Sequence, residues 1–230
     1  MTKFSEFKNG CLQEIPLQLG VFPFGIAYGI LGIEVGLTNI QTFLLSIIIF
    51  AGVSQIVFAQ LFSTFTPSFM IVGTIGIVNL RHILYGVSLS SYLKKLSLKW
   101  RIILSYLITD EAFAISYKRF SEEKKTKYMH FHLLGSGITL WTSWQISTLI
   151  GIFIGPSIPN SLNLEYVIPL SFIAIVVVSI NTKIKLIIFI MSALLSILLR
   201  DLPWNLWIIT SALISIIIGV LISNFRKGIK

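Results

Sequence analysis

The chain predicts an all-α fold, a polytopic bundle of membrane-spanning helices, and three observations carry that prediction. Of its 230 residues 55% are hydrophobic and only 12% charged. Mean hydropathy is +0.88, well above that of a water-soluble domain. The apolar residues gather in runs approaching bilayer length, about 20 residues per helical crossing, and the charges collect between them. The runs lie at 17–37, 43–63, 70–93, 102–117, 130–154, 164–182, 184–199 and 205–223, which gives about 7–8 transmembrane segments. No linker, low-complexity tract or plain repeat divides residues 1–230, so a single integral membrane domain is expected.

A net charge of +9 in a soluble chain would suggest nucleic acid. Here the cations sit in short connections: Lys94, Lys95, Lys99 and Arg101; Lys118, Arg119, Lys124, Lys125 and Lys127; Lys183 and Lys185; Arg226, Lys227 and Lys230. That is the positive-inside pattern rather than a phosphate-binding face, and it places these clusters and the C-terminus in the cytoplasm. Eight full crossings would put the first two clusters on opposite sides, so one segment in the first half must be irregular. The 102–117 run is short and carries Thr109-Asp110-Glu111, so it is expected to dip into the bilayer and return. Seven spans then follow if the N-terminus is outside, where Lys3 and Lys8 hold it back only feebly and Glu6 and Glu14 count for little. Alternatively, the first run folds into a hairpin at Phe22-Pro23-Phe24-Gly25 and the N-terminus stays inside. The sequence leaves both open.

From residue 118 onward basic connections alternate with neutral ones such as Gly155-Pro156-Ser157-Ile158-Pro159-Asn160. Trp204 and Trp207, beside Arg200-Asp201, read as interfacial anchors, whereas Trp141 and Trp144 lie deeper and are open between interface and interior. The lone Cys11 has no partner for an internal disulfide, and no His/Cys spacing suggests a metal or other cofactor. No short apolar signal region precedes the first run, so the chain is expected to insert as written.

Several polar residues fall inside the apolar runs. Gly20, Gly25, Gly29, Gly32 and Gly36 let helix backbones approach closely. Their other reading, with Pro23 and Gly25, is a broken helix whose freed amides hold a substrate carboxylate. Glu34 ends this run and reads as interfacial. In the second run Ala51-Gly52-Val53-Ser54-Gln55 sets a small-residue patch one turn from Gln55, suited to interhelical hydrogen bonds or to substrate contact.

The third run holds Asn79-Leu80-Arg81-His82. Placing a cation in mid-bilayer costs about 2.5–3.5 kcal/mol on insertion scales, which marks Arg81 as a functional candidate. Gly76, Asn79, His82 or Ile83, Gly86 and Ser90 share one helical stripe, while Arg81 lies off it near Tyr85, so the helix should be surrounded by protein or a wet cavity. Arg81 either pairs structurally with Asp110 or Glu111 or offers its fork to a carboxylate. His82 is a proton relay or a packing histidine. Asp110 and Glu111, about 100° apart on a helix, cannot both face one partner. They are proton-coupling or ammonium-binding groups if immersed, and ordinary solvated acids if the segment skims the surface.

Pro16, Gly20, Phe22-Pro23-Phe24-Gly25, Gly36-Leu37, Ala51-Gly52 with Gln55, Asn79-Leu80-Arg81-His82 with Tyr85-Gly86, and Asp110-Glu111 with Phe113 occur in an order that resembles the AzlC family, the large subunits of bacterial branched-chain amino acid exporters. The match covers roughly residues 10–120 and continues downstream as hydropathy. The resemblance implies efflux of leucine, isoleucine, valine and analogues such as azaleucine across the bacterial cytoplasmic membrane, with a small AzlD-type membrane partner. A zwitterion exporter needs a carboxylate site, an ammonium site and an apolar pocket, which Arg81, Asp110 or Glu111 and the aliphatic walls supply in this reading. With no nucleotide-binding motif, proton coupling is expected. An intramembrane hydrolase is disfavoured because GxSG and HExxH are missing. A channel or a non-transporting membrane subunit is the alternative, although repeated polar rings suited to a pore are not evident.

Overall fold

The structure, a computed structural model, describes residues 2–121, 126–157, 180, 182–203 and 206–228. The expected run at 164–182, except residues 180 and 182, lies outside them, as do Trp204, Lys124, Lys125 and Lys230. Among the described residues the ordered elements are all helical. Among these residues three helical stretches are long and apolar enough to cross a bilayer: Lys3–Glu34, Ser68–Leu93 and His130–Ser157. The chain falls into two compact units, Met1–Gln60 with Val78–Pro159, and Leu61–Ile77 with Asn160–Lys230.

In the first unit, helix α1 (Lys3–Glu14) passes through a 3-10 turn (Ile15–Leu17) into α2 (Gln18–Glu34). Thr2 caps α1 through its side chain on the Ser5 amide. Gly36, at φ +87°, closes α2 in a Schellman motif, with Leu37 N–H on Gly32 O and Gly36 N–H on Ile33 O, both 3.0 Å. This α1–α2 rod lies parallel to α8 (His130–Ile154), and glycines set the spacing. A Cβ on Gly10 would stand 2.1 Å from His132 O, one on Gly135 2.2 Å from Phe7 O, one on Gly29 2.4 Å from Thr148 O and one on Gly151 2.2 Å from Ile26 O. The sequence's small-residue reading of this run therefore holds, as backbone-to-backbone packing. The N-terminus of the rod and the start of α8 share one end of the unit: Lys3 Nζ stands over the rings of Tyr128 (5.7 Å) and Phe131 (5.9 Å).

The hairpin considered at Phe22–Gly25 does not form. Pro23 sits within α2, where its ring removes a single amide donor and α8 supports the flank, so the helix continues. The reversal occurs in the next run, which the sequence reads as one segment at 43–63. There α3 (Asn39–Ile48) ends, and α4 (Gly52–Ser63) begins after three residues. Gln55 donates to Leu45 O at 3.3 Å, whereas ten residues of unbroken helix would separate these positions by about 15 Å. The chain therefore folds back at Ile49–Ala51.

The 102–117 run behaves as expected and turns back. Helix α6 (Leu98–Tyr106) climbs from the start of α8, where Trp100 meets His130 and Phe131 at 5.1 and 5.2 Å between ring centroids. Its end stands beside the middle of α8: Trp141 donates to the Tyr106 hydroxyl at 2.9 Å, and Leu107 fills the space over Gly137. Helix α7 (Asp110–Ser121) then returns, and Phe120 joins Leu89, Leu93, Leu104, Ile108, Ala112, Met129 and Leu133 in the apolar core at the starting end. Helix α5 (Ser68–Leu93) runs parallel to α7 over its second half, with Tyr85 stacked on Phe113 at 4.4 Å and Tyr92 beside Phe120 at 5.3 Å.

The second unit contains the first part of α5 and two helices, α9 (Lys183–Leu198) and α10 (Leu206–Gly228). Thr182 caps α9. Helices α9 and α10 are antiparallel: Ser196 donates to Ser211 at 3.1 Å, and Ile188 lies over Gly219.

Candidate functional site

The two fold-back turns meet within the first unit. Helix α3 starts at the C-terminal end of α2, where Tyr28 donates to Thr42 O at 2.9 Å and Thr42 fills the space over Gly32. It descends until Ser46 meets Thr148 and Gly52 meets the Trp144 ring. Helices α6 and α7 come from the opposite end. At the meeting point the Tyr106 hydroxyl donates to Ile47 O, and its ring lies 5.9 Å from Phe50.

The α3–α4 turn is held by neutral groups. Gln55, wholly buried, donates its amide to Leu45 O, Ser46 O and Ile49 O at the end of α3, adding to the backbone bonds that Leu45 O and Ile49 O accept from Ile49 and Ala51. Gln145 on α8 also donates to Ser46 O, at 3.2 Å. Three polar atoms around this turn are buried without a hydrogen-bond partner among the described residues: Gln55 Oε1, Gln145 Oε1 and Trp144 Nε1. Phe24 and Gly25 close the same place from α2, with Phe24 5.8 Å from the Trp144 ring and Gly25 against Ser147. Gly25 thus packs beside the broken helix rather than forming it, and Pro23 stays inside continuous α2.

The α6–α7 turn is charged. Thr109 caps α7 on the Ala112 amide at 3.4 Å, and Asp110 and Glu111 occupy its first turn, where the helix dipole favours anions. Arg81 Nη1 meets Asp110 Oδ2 at 2.7 Å, and Tyr85 donates to Asp110 Oδ1 at 2.6 Å. The pair is 32% and 40% exposed, so it is sheltered but open on one side. Arg81 Nε is buried without a partner among the described residues. Two residues before Arg81, Asn79 accepts from Ser54 at 2.7 Å, in the first turn of α4. The Asn79–His82 turn of α5 therefore touches the N-terminal turns of both α4 and α7. Half-buried His82 lies 5.9 Å from the Tyr85 ring, and Glu111 is half-buried in the first turn of α7.

Of the two partners open to Arg81 from sequence, the structure selects Asp110. It also departs from the expectation that α5 is surrounded: Leu80, Ile83, Leu84 and Val87 are exposed, and the polar groups crowd the other side. Trp144 is interior, and Trp141 is tied to the α6–α7 turn.

Sequence reasoning missed the acidic face of α1. Glu6 and Glu14 are both fully buried. Arg119, counted from sequence among the connecting cations, is buried as well and forks onto Glu6 at 3.1 and 2.6 Å, with Thr126 adding a bond at 3.1 Å. The available signal was the four-residue spacing Glu6, Gly10, Glu14, Gln18, which aligns these residues on one helical face.

The chain is 25% identical over 185 residues to the inner membrane protein YgaZ of Escherichia coli (strain K12), covering 77% of this chain and 74% of that one. It is 28% identical over 164 residues to an uncharacterized membrane protein of Archaeoglobus fulgidus, covering 69% and 67%. Over 115 residues it is 32% identical to the branched-chain amino acid transport protein AzlC of Bacillus subtilis (strain 168), covering 50% of this chain and 44% of that protein. No solved structure matches. The family model described as AzlC protein matches residues 16–158, which hold both fold-back hairpins and the turn of α5 between them, and this membrane chain belongs to that family.

Proposed function

We propose that this chain is the transport subunit of a branched-chain amino acid exporter, working as one domain in the bacterial cytoplasmic membrane. The observation that supports this reading best is the pair of oppositely entering hairpins whose helix N-termini flank Asn79–His82. Discontinuous helices of this kind offer amides to anionic groups and carbonyls to cationic ones at mid-membrane depth. A zwitterion suits the centre, because it can open the Arg81–Asp110 pair and give each ion a new opposite charge: its carboxylate lies in the Arg81 fork and its ammonium on Asp110 or Glu111. The unpartnered oxygens of Gln55 and Gln145 offer further acceptors at the α3–α4 turn. Aliphatic walls receive the leucine, isoleucine or valine side chain. The name of the Bacillus subtilis relative supports the substrate class.

In this reading the two hairpins are re-entrant. The N-terminus, the 94–101 and 118–127 clusters and the C-terminus are cytoplasmic by the positive-inside rule. The proton gradient drives export, and a small AzlD-type membrane protein completes the exporter.

The test is efflux of preloaded radiolabelled leucine from cells expressing the chain with and without an AzlD-type partner, comparing wild type with Arg81→Ala at matched membrane abundance. Partner-dependent efflux lost in the variant is expected. Efflux by neither wild-type preparation would remove the exporter assignment, and steady ion conductance in its place would favour a channel.

A further inference from the structure

We propose that Glu14 is the residue that carries the coupled proton; this rests on the exporter reading and adds to it the group through which the gradient acts. Glu6 and Glu14 stand eight residues apart on one face of α1, both wholly buried against the same unit. Glu6 has a full ionic environment in the Arg119 fork and the Thr126 hydroxyl. Glu14 has only neutral partners: Ser136 donates to Oε2 at 2.5 Å, and Gln18 donates to Oε1 at 3.1 Å. Among the described residues no Lys, Arg or His forms an ion pair with it.

The groups facing it confirm the contrast. On α8 the nearest titratable residue is His132, one turn before Ser136, and its Nδ1 meets Ser116 at 3.4 Å. From α7 the group acting on it electrostatically is Glu111, another acid. On α1 itself, Lys8 is exposed. Glu14 is thus a carboxyl wholly buried among neutral hydrogen-bond donors, with no cation among the described residues paired to it.

Location gives the proton a route. Glu14 is the last residue of α1, and the 3-10 turn Ile15–Leu17 follows at once, with Pro16 supplying no amide donor. Short 3-10 interruptions inside a long helix often mark hinges. The Gly10 and Gly135 contacts press α1 on α8 before the joint, and the Gly29 and Gly151 contacts press α2 on it beyond, while Ile15, Pro16 and Leu17 themselves are exposed. In the cycle the carboxyl O–H bond breaks and its proton passes to water on one face. Ser136 and Gln18 hold the carboxylate until a proton from the other face restores the O–H bond.

The experiment uses the chain with its AzlD-type partner in proteoliposomes. Glu14→Gln is expected to keep leucine exchange without a gradient within about twofold of wild type and to lower accumulation driven by a pH gradient by about tenfold or more. Gradient-driven accumulation equal to wild type would overturn the proposal. Should Glu14→Gln not assemble, Ser136→Ala decides. Removing a donor to the carboxylate shifts the pH profile of uphill export upward by about half a unit or more with exchange unchanged, and an unmoved profile overturns the assignment. If wild type moves no leucine, the exporter reading falls, and infrared difference spectra at neutral pH judge Glu14 separately. A protonated-carboxyl band lost in Glu14→Gln supports it, and identical spectra overturn it.

Discussion

Helices α3–α4 and α6–α7 enter from opposite ends of α8 and each reverses within three residues, yet the first turns on neutral amides and the second on ions. At Ile49–Ala51 the carbonyls ending α3 are taken by Gln55 and Gln145, and the turn is packed by Trp144 over Gly52. At Leu107–Thr109 the new helix opens with a Thr cap and two acids, one of them locked to Arg81. The difference teaches a division of labour. The neutral turn buries Phe50, Ala51 and Gln55 and is held by amide groups without charge, whereas the charged turn keeps its ion pair 32% and 40% exposed.

The largest expected effect breaks the charged side. Arg81→Ala is predicted to lower leucine efflux about 100-fold at matched abundance, and Arg81→Lys by at least about tenfold, because an ammonium cannot replace a bidentate fork. Near-normal efflux by Arg81→Lys would remove the fork from the mechanism. The corresponding insult on the neutral side is Gln55→Glu, which sets a carboxylate against Leu45 O, Ser46 O and Ile49 O. It should destabilise the purified protein by about 2–4 kcal/mol, read as a lower thermal midpoint, while Gln55→Leu, which only uncaps those carbonyls, costs about 1–3 kcal/mol. Equal losses for Glu and Leu would mean that the sign of the group at this turn is immaterial.

Gly52→Ala tests packing alone. Its new Cβ would stand 2.6 Å from Trp144 Cη2, so the indole must shift. A cost of about 1–3 kcal/mol is expected. Gly76→Ala on α5 meets nothing within 4 Å and should be neutral in the same thermal assay, or slightly stabilising. Similar midpoints for the two variants would show that the Trp144 contact does not constrain the turn.

The same comparison explains what the sequence discloses. Thr109-Asp110-Glu111 is a helix start written in capping and dipole chemistry, so the return of the short 102–117 run is legible from residue types, whereas the choice of Asp110 over Glu111 as the partner of Arg81 is settled only by the fold. The reversal at Ile49–Ala51 has no such local mark. Its N-cap position is Ala51, its polar support comes from Gln55 and Gln145 side chains that reach it only after folding, and the surrounding isoleucines read as an uninterrupted span. Pro23 misleads in the opposite direction, because proline weakens a helix locally while tertiary packing against α8 decides whether it breaks. Thr38 and Gln41, which form a capping box before α3, were the readable hint that a new helix starts there. The burial of Glu6 and Glu14 was hidden because a charged helix face looks like a solvated one until its partners, 113 and 122 residues away, are placed.

The smallest effect sharpens the role of the charged pair. Tyr85→Phe removes one hydroxyl from Asp110 and leaves the Arg81 contact and the Phe113 stack in place. A hydrogen bond to an ion in this half-open setting contributes about 1 kcal/mol, so thermal stability should change little. Its effect on transport depends on what Asp110 does. If Asp110 releases Arg81 to admit substrate, the hydroxyl holds the freed carboxylate in position, and its loss raises the leucine concentration for half-maximal transport by about fivefold with the maximal rate nearly unchanged. If the pair is a permanent strut, Tyr85→Phe alters neither parameter. Measuring both on the same vesicles separates a working ion pair from a structural one without removing either charge.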